Sequence, residues 1–277
     1  MRFMLCALLI AAPAIATAAD TVIEFSDGSG GRDGTGGFSV NNPALKFGVT
    51  SDKSFDGKSK SLQVSGSAEY VGAVLQKKIT DHDTRIVLVY WAEGFNGNLV
   101  VQGGSAGLKK NAHALVAPVV SGHWAVSEVK LATFCDWNGK TVPPGDSLDS
   151  LLIYGTPADV KKGATLYLSR VAIVEGEDRM PPEAPANPAA TVKDHAVEVS
   201  WDPAKDNVLT ARYEVYRGMK PDFAARADNR VGEVTTVTFR DDTLSNFGTY
   251  YYRILPIDAA GNRGTLSAAA RIAVEND

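Results

Sequence analysis

The chain is poor in cysteine, in histidine and in long apolar runs, and each scarcity removes a class of protein. Its two cysteines are Cys6 and Cys135. Cys6 sits inside an apolar leader, so the rest of the chain keeps one thiol and forms no intrachain disulfide. The fold must therefore rest on its hydrophobic core. The four histidines, His82, His113, His123 and His195, show no short H-x-x-x-H spacing, and Cys135 has no second cysteine with which to share a metal. Outside the leader no run approaches the roughly 20 apolar residues of a membrane-spanning helix. No window of eleven or more residues carries a convincing helical period. Positive charge is also short: 28 basic residues face 32 acidic ones, a net charge of −4. Nucleic-acid binding needs clustered lysine and arginine to displace phosphate counterions, so that partner class is not expected.

Residues 1–19, MRFMLCALLIAAPAIATAA, have the form of an export signal. Arg2 gives the positive start, Phe3 to Ala12 the apolar run, and Ala16-Thr17-Ala18 the small residues a signal peptidase needs. Its removal leaves 27 basic against 32 acidic residues, a net charge of −5. The expected location is secreted or periplasmic. The stretch EGEDRMPPEAPANP, 175–188, holds four acids and four prolines without apolar periodicity and reads as a stiff linker. The expected organisation is 20–176, a linker over 177–188, and 189–277. Both halves read as strands. Short β-rich runs such as RIVLVYWAE, NLVVQG, VEVSW and YYYRI are separated by Gly, Asn, Asp and Pro. This is an all-β chain.

The C-terminal half resembles a fibronectin type III domain over nearly its whole length. The matching pieces are PPEAPANP, VEVSWDP with Trp201, YEVYRG, GTYYYRILPIDAAGN and LSAAARIAV. The resemblance implies an Ig-like β-sandwich with Trp201, Tyr213 and Tyr250 in its core, and Tyr252 and Ile254 on the same inward face as Tyr250. Pro256 is unusual for that strand and implies a bend or an edge.

The N-terminal half resembles, more faintly, the jelly-roll carbohydrate-binding modules of the galactose-binding-like fold. The pieces, in order, are VIEFSDG, SDKSFDGKSKSLQVSG, SGHWAVSEVKLATF, PPGDSLDSLLIYG and ATLYLSRVAIVE. The implied architecture is a jelly-roll β-sandwich, with Trp124 as a packing residue. Members of that family often hold a structural calcium at the opening turn with help from an aspartate in the last strand. Here the matching place is Ser169-Arg170, which removes a carboxylate and adds a positive charge. No metal is expected; were calcium bound there, Glu24, Asp27 and Asp33 would supply its carboxylates. The glycine loop DGSGGRDGTGG misses both G-x-G-x-x-G and the phosphate-loop spacing, so no cofactor is expected.

One motif invites an enzyme reading. GGSAG, Gly103 to Gly107, fits the G-x-S-x-G of a nucleophile elbow. That elbow needs a strand before Ser105 and a helix after it within a parallel α/β sheet. The residues after Gly107 are LKKNAHALVAPVV, which read as a turn and another strand, and the chain lacks βα repeats. GGSAG is read as a hairpin loop and the protein as a non-enzyme.

Sugar recognition needs a flat aromatic against the apolar ring face and polar side chains for the hydroxyls. RIVLVYWAE is apolar on both faces, with Ile86, Leu88 and Tyr90 on one side and Val87, Val89 and Trp91 on the other. Trp91, with Gln102 and His113 on neighbouring strands, forms one candidate set, and Trp137 in CDWNGKTVPPGD is the other exposed candidate. The expected function is non-catalytic glycan binding, in polysaccharide processing or attachment. The alternative is a structural or protein-interaction factor of the cell envelope. An aromatic beside polar groups on an open sheet favours the first, and a face covered by loops favours the second.

Overall fold

The computed structural model describes residues 21–275 apart from 26–36, 41, 43, 56–58, 67–70, 80–82, 117–118, 120, 157, 159, 177 and 245–246. Among the described residues there is no α-helix, only strands and two three-residue 3-10 turns, Leu131–Thr133 and Ala227–Asn229. The protein is all-β.

The first half holds β1 (Thr21–Glu24), β2 (Phe38–Ser39), β3 (Lys46–Thr50), β4 (Ser61–Ser65), β5 (Val71–Leu75), β6 (Arg85–Phe95), β7 (Leu99–Ser105), β8 (Lys110–Val116), β9 (Trp124–Lys130), β10 (Leu151–Gly155) and β11 (Val160–Val174). They form two antiparallel sheets. One has the order β3-β4-β11-β6-β9, with β1 also paired to β11; the other is β2-β5-β10-β7-β8. Alternation along each strand sends every second residue into a shared core. Ile86, Leu88, Tyr90 and Ala92 of β6 meet Val101 of β7, Ile153 of β10 and Ala73 of β5 there.

The second half holds β12 (Ala189–Lys193), β13 (Ala196–Ser200), β14 (Thr210–Gly218), β15 (Arg230–Val234), β16 (Thr238–Asp241), β17 (Gly248–Asp258) and β18 (Ala270–Val274). A three-stranded sheet, β12-β13-β16, faces a four-stranded one, β15-β14-β17-β18. Trp201, Tyr213, Tyr250, Tyr252 and Ile254 fill the core between them, as the period of two implied. Tyr252 donates its buried hydroxyl to Asp241 Oδ2 (2.7 Å), tying β17 to the end of β16. Pro256 is tolerated because β18 pairs only with Gly248 to Tyr252, so the ladder ends before the proline.

The connecting segment is seated against the second half. The Glu183 N–H donates to the Lys205 carbonyl (2.8 Å), and Asn262 Nδ2 donates to the Asp178 carbonyl (3.0 Å). The two halves also touch. Val87 and Val89 of β6 and Ala172 and Val174 of β11, on the outer face of the six-stranded sheet, form one apolar cluster with Val208 and Leu209. This explains why RIVLVYWAE is apolar on both sides: one side enters the sandwich and the lower part of the other meets the second half.

Candidate functional site

The four aromatic and polar candidates fall on opposite sides of the first sandwich. Trp91 belongs to β6, whose neighbours are β11 and β9, whereas Gln102 and His113 belong to β7 and β8 of the other sheet. The expectation that Trp91 neighbours Gln102 and His113 is corrected by this topology. The chain crosses from one sheet to the other between Phe95 and Leu99, so consecutive strands are not paired.

Trp91 lies in a cross-strand row that runs Gln63, Tyr167, Trp91, Trp124 over β4, β11, β6 and β9. Gln63 Nε2 donates to the Tyr167 hydroxyl (3.1 Å), and the Trp91 and Trp124 rings meet edge to face at 5.8 Å. The segment before β4 covers this row. Phe55 packs edge-on to Trp124 at 5.7 Å, and Lys53 Nζ stands 4.0 Å from the centre of the Trp91 ring while pairing with Glu93 (3.3 Å). Trp91 itself donates through Nε1 to Glu93 Oε1 (2.9 Å). Trp124, expected as a core packing residue, is half-buried on this outer face and not in the sandwich core.

The five-stranded sheet presents the other three candidates together. Gln102 and His113 are direct cross-strand partners, and Leu152 of β10 stands on the far side of Gln102. Tyr154 donates its hydroxyl to Gln102 Oε1 (3.0 Å), fixing the amide. The free edge of β8 is extended by Cys135, which exchanges both backbone bonds with His113 (2.9 and 3.0 Å). Phe134 and Val142 anchor the segment in the core on either side. Two residues beyond Cys135 the chain turns, and the turn lays Trp137 on His113, with ring centres 3.7 Å apart and planes 19° apart.

That turn is built around Asp136. Its carboxylate accepts the N–H groups of Asn138 (2.9 Å) and Lys140 (3.0 Å) and faces Lys110 Nζ (3.4 Å). The Lys140 N–H and the other donors hold the Asp136 carboxyl below the usual carboxylate range. Gly139, at φ 84°, closes the turn in the left-handed region that glycine enters without strain. Burial pushes the His113 imidazole below the ordinary histidine range, which favours a neutral ring beneath the indole at neutral pH. Trp137 is 62% exposed, so its indole is held on one face and offered to solvent on the other. A hollow beside it is lined by Lys110, Asn111, Asp136 and Asn138, and a second hollow shares Lys110 and Asn111 and continues to Gly104 and Asp149. The aromatic therefore opens onto a shallow polar groove. Sequence reasoning missed Lys110, Asn111 and Asp136 along the groove and Tyr154, whose partner lies 52 residues away; only the strand order brings them together.

Ser105 borders the second of these hollows, as the last residue of β7, and the turn to β8 spans 106–109. Its hydroxyl donates to Asp146 and accepts the Leu108 N–H (3.0 Å), and the residue is buried. The glycines around it serve close packing. A Cβ at Gly103 would collide with the Ser150 carbonyl, and one at Gly104 with the Asp149 carboxylate. No elbow forms: Ser105 leads through its turn into a strand, not a helix. Among the calcium candidates, Asp27 and Asp33 lie outside the described residues, and the backbone of Glu24 in β1 stands opposite Arg170 in the β1–β11 register.

No family model matches the chain. Segments of about a third of it are similar to parts of three enzymes. These are an alpha-amylase of Niallia circulans (36% identical over 94 residues, 34% of this chain and 7% of that protein), exoglucanase B of Cellulomonas fimi (32% over 84 residues, 30% and 7%) and a chitinase of Paenibacillus xylanexedens (31% over 100 residues, 36% and 17%). The chain thus spans less than a fifth of the length of each. Among solved structures, the glycoside hydrolase domain of Endo-D from Streptococcus pneumoniae aligns with 85% of this chain and 37% of its own (14% identity, TM-score 0.41). A Fn3-like protein from Clostridium thermocellum aligns with 35% of this chain and 98% of its own (18% identity, TM-score 0.30). Scores at this level establish no common fold.

Proposed function

We propose that the protein is an exported, non-catalytic glycan-binding module pair. On this reading a carbohydrate-binding jelly roll (20–176) is joined through 177–188 to a fibronectin type III domain (189–277). The observation that carries it is Trp137, its indole stacked on neutral His113 and otherwise open beside a polar groove. An indole held in this way gives a pyranose ring an apolar surface without the entropy cost of ordering a loose side chain. Gln102, oriented by Tyr154, and Asn111, Lys110 and Asp136 supply donors and acceptors for hydroxyls. The open ends of the groove suit a chain better than a single sugar. The similarity to parts of an alpha-amylase, an exoglucanase and a chitinase supports a glycan partner, and their differing names leave its identity to experiment. The leader at 1–19 supports export. The absence of catalysis rests on Ser105, whose hydroxyl is engaged in holding a turn. Trp91, capped by Lys53 beside a Trp124 that Phe55 covers, fits the alternative scaffold role for its own face.

The test is affinity electrophoresis and titration calorimetry against starch, soluble β-glucan and chitin oligosaccharides, after a glycan array. Trp137→Ala is expected to weaken binding at least about tenfold, the scale of losing one ring-stacking contact, while Trp91→Ala leaves it unchanged. Equal affinity in Trp137→Ala and the parent, or an array with no bound glycan, overturns the reading.

A further inference from the structure

His113 is an ionisable side chain in an enclosed place. It is 7% exposed, and one face of its ring is covered by the Trp137 indole at 3.7 Å. Its Nδ1 is sealed from solvent and has no hydrogen-bond partner among the described residues. The nearby Cys135 carbonyl already accepts the His113 backbone N–H (2.9 Å). In turn, no other ring contact or hydrogen bond holds the Trp137 side chain among the described residues. The indole's place thus depends on the imidazole beneath it.

A neutral imidazole can leave Nδ1 as its unprotonated nitrogen. An imidazolium carries a hydrogen on both nitrogens. Nδ1 would then be a buried charged donor without an acceptor, which is costly. The charged groups nearby do not relieve that cost. On the turn, Asp136 is engaged by the N–H groups of Asn138 and Lys140 and by Lys110 Nζ. On β9, Glu128 and Lys130 border a hollow that His113 also lines. Glu128 is paired with Arg85 (3.3 Å), and Lys130 has the same sign as an imidazolium. β7 and β10 bring only Gln102 and, bonded to it, Tyr154. Burial accordingly holds the imidazole below the ordinary histidine range, against the pull of the Cys135 carbonyl and Asp136.

We propose that His113 is the positioning residue of the indole platform and that its protonation releases Trp137. Solvating Nδ1 requires the ring to turn out from under the indole, which then loses its support. The consequence for a ligand rests on the glycan-binding reading above. A histidine that resists protonation in the stacked arrangement favours that arrangement fully above its ordinary pKa of 6.5, and the advantage is lost as the pH falls below it. Glycan affinity should follow the same course.

The test has two arms. Without any glycan, NMR of the full chain follows the contact between the Trp137 and His113 rings from about pH 8 to pH 5, the range in which histidines titrate. The ring contact is expected to vanish as His113 protonates. Titration calorimetry with soluble starch, soluble β-glucan and chitin oligosaccharides covers the same range, and affinity should fall at least about threefold towards pH 5. His113→Phe keeps a ring under the indole but carries no proton, so its affinities at the two pH values should stand in a ratio of about one. The proposal is overturned by a ring contact that persists at pH 5, by equal affinity of the parent at both pH values, or by a fall that His113→Phe retains. Absence of any binding at pH 8 counts against the glycan-binding reading, and the ring contact then decides the role of His113 by itself.

Discussion

Truncating Leu209 should uncouple the two halves. Leu209 belongs to the second half, is 3% exposed, and shares an apolar cluster with Val87, Val89, Ala172 and Val174 of the first. A cleft of about 90 Å³ already lies beside it, lined in part by Val89, Arg170 and Tyr213. A buried Leu→Ala change costs about 2–5 kcal/mol, the larger values where the surroundings cannot close in. A junction between two sandwiches can shift further than a core, so about 2–3 kcal/mol is expected here. At roughly 2–4 °C per kcal/mol for a chain of this size, the melting point should fall by about 4–12 °C.

The sharper measurement is a double-mutant cycle with Val89→Ala, read by urea unfolding. Both side chains border one cleft, so removing either should lessen what the other loses. The double variant should be destabilised by at least about 0.5 kcal/mol less than the sum of the singles, since neighbours couple on this scale and distant sites do not. Strict additivity, or a parent whose halves melt in two transitions that neither change moves, would refute the idea that this cluster joins the halves.

Two further outcomes concern buried polar groups. Ser105→Ala should leave glycan binding intact but lower stability by about 1–3 kcal/mol in urea unfolding, because Asp146 and the Leu108 N–H lose a buried partner; unchanged stability would show that the turn does not depend on it. In the second half the Arg263 guanidinium, with help from Tyr216 and Arg230, holds Glu214 at about 2 against its ordinary 4.5. A depressed folded pKa means this stabilisation is present above pH 4.5 and is lost as pH falls from there towards 2. Its size is on the order of 2 kcal/mol once solvent at half-exposed Arg263 and Arg230 is allowed for. Melting curves of Arg263→Gln should therefore be flatter than the parent's across that acid window, and parallel slopes would count against the pair.

How much of this was legible in the sequence depended on range. Alternation in VEVSW, YEVYRG and YYYRI places Trp201, Tyr213 and Tyr252 correctly because a period of two is a local property. The hairpin at GGSAG is equally local: Pro118 and the β-branched residues beyond it leave no room for a helix. Which strands pair is not a local property, and the sequence does not carry it. β6 and β7 are consecutive, yet they lie in different sheets, so chain order groups Trp91 with Gln102 and His113 although it lies across the sandwich from them. Trp124 is placed in the core by the family resemblance alone, whereas its actual position on the outer face is set by its pairing with Trp91, which is not local. The outward side of Val87 and Val89 gives a true signal, excess apolarity, but its cause lies more than a hundred residues away in Val208 and Leu209. Gly103 and Gly104 look like a motif because close approach by Asp149 and Ser150, their actual reason, is a tertiary contact.

The topology also separates the two features that invite experiment. Val87, Val89, Ala172 and Val174 turn towards the second half from the outer face of the six-stranded sheet, where they meet Val208 and Leu209. Trp137 and His113 belong to the outer face of the five-stranded sheet, with the whole sandwich core between. A glycan lying along Trp137, Asn111 and Gly104 therefore meets none of the residues that hold the halves together. The junction can be rigid without restricting that groove, and the groove can fill without loosening the junction. Sites so placed act on stability and on binding as independent terms, so on the proposed glycan-binding reading the junction would serve to fix the direction in which the groove faces.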